Sequence, residues 1–253
     1  MSKTVWITGA SSGIGQEFAR RYAKMGCRLI LTARRTDRLE ALAAELGTPC
    51  RILPADLADE ADCARLCAAL AGENIDIFIN NAGFGVCGSY LETDAAREEE
   101  MIKVNVAAMA RLFHFAVRKM DAAGGGTILN VASSAGLLPG GPYMAGYYAS
   151  KAYVVSLTRG VAEELRENRS PVYVCALCPG PVNTEFNDRA GVVFALKGIT
   201  PEFCVEEALL GMMHHKTVIV PSAFMRLCTG AQKFLPTPLL MPIVARQQKK
   251  KLG

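Results

Sequence analysis

Seven short apolar runs recur along the chain: Thr4 to Thr8, Arg28 to Ala33, Cys50 to Ala55, Asp76 to Asn80, Thr127 to Ala132, Val172 to Cys178 and Thr217 to Val220. Runs this short, with both faces apolar, read as strands buried on both sides. Between them the apolar positions change period. Ile102, Val106, Met109, Phe113 and Met120 are spaced as on one face of a helix, and so are the apolar positions from Val154 to Leu165. Strands alternating with helices predict an α/β fold, doubly wound, with a seven-stranded parallel sheet and helices on both faces.

The chain has 253 residues, 51% hydrophobic and 21% charged, enough for a large core, and no Ser/Gly/Pro-rich linker divides it. One domain over 1–253 is expected. The first strand starts at once, without an apolar leader, and prolines break the longest apolar stretches, so neither secretion nor a membrane span is expected. Nine cysteines at irregular spacing read as free thiols in a reducing cytoplasm. Cys175 and Cys178 have metal-ligand spacing, but in a strand a separation of three sends their side chains to opposite faces. His114, His214 and His215 have no companions at ligand spacing, so no metal is expected.

In an open parallel sheet ligands gather beyond the carboxyl ends of the strands, where the strand order reverses. Five segments follow predicted strands and should share that edge: Gly9 to Gly15, Asp56, Asn80 to Gly83, Ser133/Ser134 and Pro179 to Thr184. The first reads Gly9-Ala10-Ser11-Ser12-Gly13-Ile14-Gly15 and opens a helix, which suits a pyrophosphate bound at a positive helix end in a Rossmann fold. After the second strand, where an acid would hold a free ribose 2'-hydroxyl, the chain has Arg34-Arg35. Guanidiniums fit a 2'-phosphate and an acid repels it, so NADP(H) is favoured over NAD(H), with Arg34 the stronger candidate and Arg35 the more easily explained as a solvated helix-start residue.

Tyr147 and Lys151 are four residues apart, on one helical face, where an ammonium can favour the ionised form of a phenol. Bringing a tyrosine from ~10 to neutrality takes roughly 3 pK units, or about 4 kcal/mol. The serine before them is ambiguous: strand register selects Ser133, whereas the familiar 13-residue interval back from Tyr147 selects Ser134. Register is harder to shift than loop length, so Ser133 is preferred. Either hydroxyl would stabilise charge on a substrate oxygen. Asn105 is an unusual residue for an apolar helix and reads either as functional or as a cap or kink.

Together, and over nearly the whole length, these motifs resemble the short-chain dehydrogenase/reductase family in its subgroup of about 250 residues. The resemblance implies that Gly9, Ser11, Ser12, Gly13, Ile14 and Gly15 bind the pyrophosphate and that Asp56 and Leu57 lie near the adenine. It implies that Asn81, Ala82 and Gly83 line the cofactor. For Asn80 and Asn81, backbone bonding at a strand end explains the residues equally well. Tyr147 would be the proton donor in ketone reduction, Lys151 a ligand of the nicotinamide ribose and Asn105 the holder of a water. Pro179, Gly180, Val182 and Thr184 would lie at the cofactor, with the Val182 backbone and the Thr184 hydroxyl holding the carboxamide, although the prolines would also simply end a strand.

Phe84, Val86, Leu137, Leu138, Tyr143, Met144, Phe186, Val192, Val193, Phe194 and Leu196 are candidates for an apolar pocket wall, with Glu185 to Thr200 a candidate lid. The expected activity is NADPH-linked interconversion of a hydrophobic ketone or aldehyde and its alcohol. A non-catalytic NADPH sensor and a membrane-surface lipid ketone reductase are the alternatives. From Pro221 onward there are six basic and no acidic residues. That tail reads first as a solvated end, with a peripheral membrane contact or a second subunit as further readings. No basic face is interleaved with aromatics, so nucleic acid is not expected. Helices near 97–120 and 147–168 resemble those through which family members form homodimers or homotetramers.

Overall fold

The computed structural model describes residues 2–185 and 198–249. The expected pocket residues Phe186, Val192, Val193, Phe194 and Leu196, and most of the expected lid, lie outside the described residues. Seven parallel strands form one sheet in the order β3-β2-β1-β4-β5-β6-β7: β1 Thr4–Thr8, β2 Arg28–Thr32, β3 Cys50–Ile52, β4 Ile77–Asn80, β5 Gly126–Val131, β6 Val172–Leu177 and β7 Val218–Ile219. Strand order reverses between β1 and β4, as the doubly wound reading requires.

Strand ends differ from expectation by a few residues. The third strand stops at Ile52 rather than Ala55 because Pro54 has no N–H for the ladder. Its path nevertheless stays alongside β2, with the amides of Leu53 and Ala55 donating to the carbonyls of Leu31 and Ala33. The second ends at Thr32 rather than Ala33, and the seventh is reduced to two residues.

Alternation along the strands divides the core into two layers. Trp6, Ile30, Phe78, Ile128 and Val174 face one side, and Val5, Ile7, Leu29, Leu31, Ile79 and Leu129 the other. Trp6 stacks on Phe78 with ring centroids 4.0 Å apart. Each such fully buried side chain is worth about 1.5–3 kcal/mol. Cys175 and Cys178 fall in opposite layers, and all nine cysteines are free. Among the described residues no cluster of potential metal ligands occurs, and no helix is long and apolar enough to cross a membrane.

The helices that carry the site are α1 Gly13–Lys24, α4 Ala95–Ile102, α5 Met109–Ala122 and α6 Ala145–Glu167; α2 Thr36–Leu46, α3 Glu60–Leu70 and α7 Pro201–Met213 complete the two layers. Two further helices, α8 Ala223–Ala231 and α9 Thr237–Lys249, form the basic tail. The tail is no solvated end. Leu240, Val244 and Gln248, one turn apart on α9, are buried, and the first two pack with Met144, Tyr147 and Tyr148. The Gln232 side chain donates to the Leu137 carbonyl at 2.6 Å, which fixes the link between α8 and α9.

Candidate active site

Every strand-end segment singled out by sequence opens into one cleft of about 620 Å³ at the switch point. Its floor is the glycine turn. Gly9 and Gly13 have φ of +66° and +56°, and a Cβ on Gly15 would strike the Gly9 carbonyl oxygen. Only a chain without side chains folds this tightly. Asn81 fixes the turn from below, its Nδ2 donating to Thr8 O at 2.9 Å and Gly9 O at 3.2 Å. Asn80 instead bonds Met109 O and Asn130 Oδ1, and Asn130 bonds Thr158. Asn80 thus serves backbone and sheet, while Asn81 holds the turn and also lines the cleft.

Helix α1 begins at this turn with no side-chain cap on Ser12 and no acidic residue in its first turn. Its leading amides are thus open to an anion. Ser11, Ser12, Ile14, Ala82, Gly83, Pro179, Val182 and Thr184 line the same cleft, and the Thr184 side chain sits close over Gly13. This donor set and glycine cradle fit a dinucleotide.

At one end Asp56 and Leu57 line the cleft beside two guanidiniums, those of Arg34 and Arg35. Arg34 pairs with Glu100 at 3.1 Å and lies 4.0 Å from Asp56, its side chain 52% exposed. Arg35 is only 25% exposed; it donates to Ser11 Oγ at 3.1 Å and shares Glu185 with Arg38. The preference for Arg34 over Arg35 thus needs adjusting, because Arg35 touches the glycine turn itself. Helical spacing from Arg35 was the only available indication of Arg38.

At the other end, α6 carries Tyr147 and Lys151, both buried. The Ser133 hydroxyl hydrogen-bonds the Tyr147 phenol, whereas Ser134 spends its backbone amide on Pro179 O. Strand register thus selected the serine that reaches the tyrosine. Lys151 Nζ lies 5.9 Å from the Tyr147 ring centroid and donates to Val131 O at 2.9 Å. Burial pushes the Tyr147 phenol up to about 12, against the pull of the Ser133 hydrogen bond, and brings the Lys151 ammonium down to about 8. Desolvation is thus the largest influence on both groups.

Asn105 lies where α4 and α5 are joined by a π-helical turn, Lys103–Ala108. Its side chain pairs with the Phe84 backbone in both directions, at 3.0 and 2.8 Å, and donates to Ser150 at 3.1 Å. The reading of Asn105 as a kink residue describes this geometry. Such turns often mark functional sites.

Of the expected pocket wall, Phe84, Leu138 and Met144 line the cleft. Val86 is buried beneath it with Met144 and Tyr147. Leu137 lines a second cavity, and the Lys249 ammonium lies over the Tyr143 ring. Missed by sequence were Tyr148 and the tail: Phe224, Met225, Cys228, Ile243, Val244, Gln247 and Gln248 close the cleft, with Met225 packed on Gly180. Nothing local in those helices points to the remote strand ends they cover.

A dinucleotide cradle, a Ser-Tyr-Lys cluster with its tyrosine and lysine buried, and the 3-2-1-4-5-6-7 sheet define a nicotinamide-linked oxidoreductase of the doubly wound class. Residues 3–191 match the short chain dehydrogenase family, and the chain belongs to it. It is 40% identical over 183 residues, 71% of each chain, to a galactitol 2-dehydrogenase (L-tagatose-forming) of Cereibacter sphaeroides. Among solved structures it resembles a short-chain dehydrogenase from Sphingobium yanoikuyae in complex with NADPH: 36% identity, TM-score 0.82, covering 91% of this chain and 94% of that one. It also resembles a short-chain dehydrogenase/reductase from Burkholderia phymatum in complex with NAD: 25% identity, TM-score 0.82, covering 92% and 93%. The chain is accordingly an oxidoreductase of alcohol and carbonyl groups.

Proposed function

We propose that this protein is an NADP(H)-dependent carbonyl reductase, reversible toward the alcohol, that acts on a hydrophobic ketone or aldehyde with Tyr147 as its acid/base. The observation that carries the reading is the Ser133–Tyr147 hydrogen bond at the apolar end of a cleft whose far end is lined by Arg34 and Arg35, with Arg38 on Glu185 beside them. The dinucleotide, when bound, supplies the hydride. A carbonyl oxygen seated between the two hydroxyls accepts hydrogen bonds from both, so that Ser133 stabilises the developing charge and Tyr147 hands over its proton. Lys151, anchored to Val131 O, lowers the cost of the phenolate that remains. Asn105 holds the Phe84 loop backbone and Ser150 in place behind this cluster.

Arginine clustering supports NADP(H), and Phe84, Leu138, Met144 and the apolar tail residues support an apolar substrate. Nine free thiols support a reducing, cytoplasmic setting. Exposed Ile102 and Tyr153, on the helices by which relatives are expected to pair, support a homodimer or homotetramer. Oxidation of NADPH and of NADH with a panel of apolar ketones tests the proposal. Turnover with NADPH preferred is expected; preference for NADH, or no turnover of any carbonyl, would overturn it.

A further inference from the structure

The two tail helices have an inner face that closes the cleft and an outer face that none of the described residues covers. On the outer face Leu227, Phe234 and Leu239 are 70%, 88% and 62% exposed. Phe224 and Ile243 are each more than half exposed and also line the cleft, so the outer apolar surface runs into its mouth. Isolated exposed apolar residues are ordinary, but five that are more than half exposed within two consecutive helices and the link between them are not. Cations accompany it: Arg246 is exposed on α9, Lys249 is exposed there too with its ammonium 5.8 Å from the Tyr143 ring centroid, Lys250 and Lys251 follow in the sequence, and no acidic residue occurs from Pro221 onward.

From this we infer that the α8–α9 face docks on an anionic lipid surface, with the mouth of the cleft turned toward the acyl region. A second copy of the chain is the competing occupant. A two-fold interface made of this face would set its cations against themselves, with no carboxylate in the segment to offset them. Anionic headgroups satisfy the cations while the acyl boundary takes the aromatic and aliphatic side chains. Arg226 is excluded from this charge, because it is already paired with Glu207 at 2.8 Å. If the cleft takes an apolar ketone, as proposed above, docking lets an amphiphilic one enter from the bilayer; the docking itself does not depend on that reading.

Co-sedimentation of the full chain with vesicles of phosphatidylcholine, alone or mixed with phosphatidylglycerol, is the test. Binding is expected to the mixed vesicles only. The pair Arg246→Glu/Lys249→Glu should weaken it about ten-fold or more, and Leu227→Ser/Phe234→Ser/Leu239→Ser should do likewise. Both variants should keep the melting temperature and the rate on a water-soluble ketone. No binding, equal binding to neutral vesicles, or self-association in the ultracentrifuge that the apolar variant abolishes while vesicles are ignored would overturn the inference. Vesicle binding without turnover of any carbonyl would leave docking intact and remove the enzymatic reading instead.

Discussion

The Gln248 side-chain amide hydrogen-bonds the Tyr148 hydroxyl across 100 residues of sequence and ties the last helix to the helix that carries Tyr147 and Lys151. Both partners are buried; the bond is made by Gln248 Nε2, and Gln248 Oε1 has no hydrogen-bond partner among the described residues. Gln248→Leu should therefore strand the Tyr148 hydroxyl and cost about 1–3 kcal/mol. Adding Tyr148→Phe should recover part of that loss, since replacing both partners removes the unpaired group. Urea unfolding of the two singles and the double measures the coupling.

The tightest backbone approach in the cofactor cradle makes a second prediction. A Cβ at Gly15 meets the Gly9 carbonyl and Asn81 Nδ2, neither of which is a free-swinging side chain. Gly15→Ala should cost about 1–3 kcal/mol of stability through overpacking and widen the turn that presents the α1 amides. Fluorescence titration with NADPH should show weaker binding. Gly160, which has open space around its Cβ position, should accept alanine without either effect.

Why the cradle was legible and the tail was not follows from these same residues. Gly9, Gly13 and Gly15 must be glycine for local reasons of φ and close approach, so their spacing reports the turn without any tertiary information. Strand alternation likewise separated Cys175 from Cys178 correctly. Gln248 and Met225 act only through contacts with Tyr148 and Gly180, which are remote in sequence, and a polar residue near a lysine-rich terminus reads as solvated. Which of Arg34 and Arg35 faces the glycine turn was illegible for a related reason: it depends on side-chain direction at the α2 start.

That ordering has a measurable consequence. Arg35 donates to Ser11 at the phosphate end of the cleft, while Arg34 is engaged by Glu100. If both guanidiniums serve a 2'-phosphate, each alanine substitution should lower the NADPH over NADH preference, with Arg35→Ala the larger. A charge-assisted hydrogen bond of about 1.5–3 kcal/mol corresponds to roughly ten- to hundred-fold in kcat/KM for NADPH, with NADH little changed. Equal losses for both cofactors would instead mean that the arginines merely hold the loop.

Buried thiols set the alkaline limit of the fold. Burial pushes Cys175, Cys178 and Cys204 up to about 12, so between pH 9 and 12 the native chain keeps protons that the unfolded chain has released. Stability then falls as pH rises, by about 1.4 kcal/mol per pH unit for each thiol. Lys151 works the other way above pH 8, because its lowered pKa makes the unfolded chain the stronger proton binder, but it is a single group. Urea midpoints should fall from pH 9 to pH 10.5, and Cys204→Ala should flatten that fall.

Tyr147 and Lys151 separate the acid from its supporting cation by pH. With the phenol pushed up to about 12, Tyr147 remains protonated throughout the neutral and mildly alkaline range, the state that ketone reduction needs. Lys151, brought down to about 8, loses its charge as pH rises through that value. Reduction by the native protein should therefore hold constant at neutral pH and decline above about pH 8. Tyr147→Phe should lower kcat by roughly 10²- to 10⁴-fold at every pH, since it removes the proton donor outright. Lys151→Arg should turn over more slowly but lose the decline above pH 8, because a guanidinium stays charged there. A decline that persists unchanged in Lys151→Arg would assign the titration to another group and break the link between the buried ammonium and proton transfer.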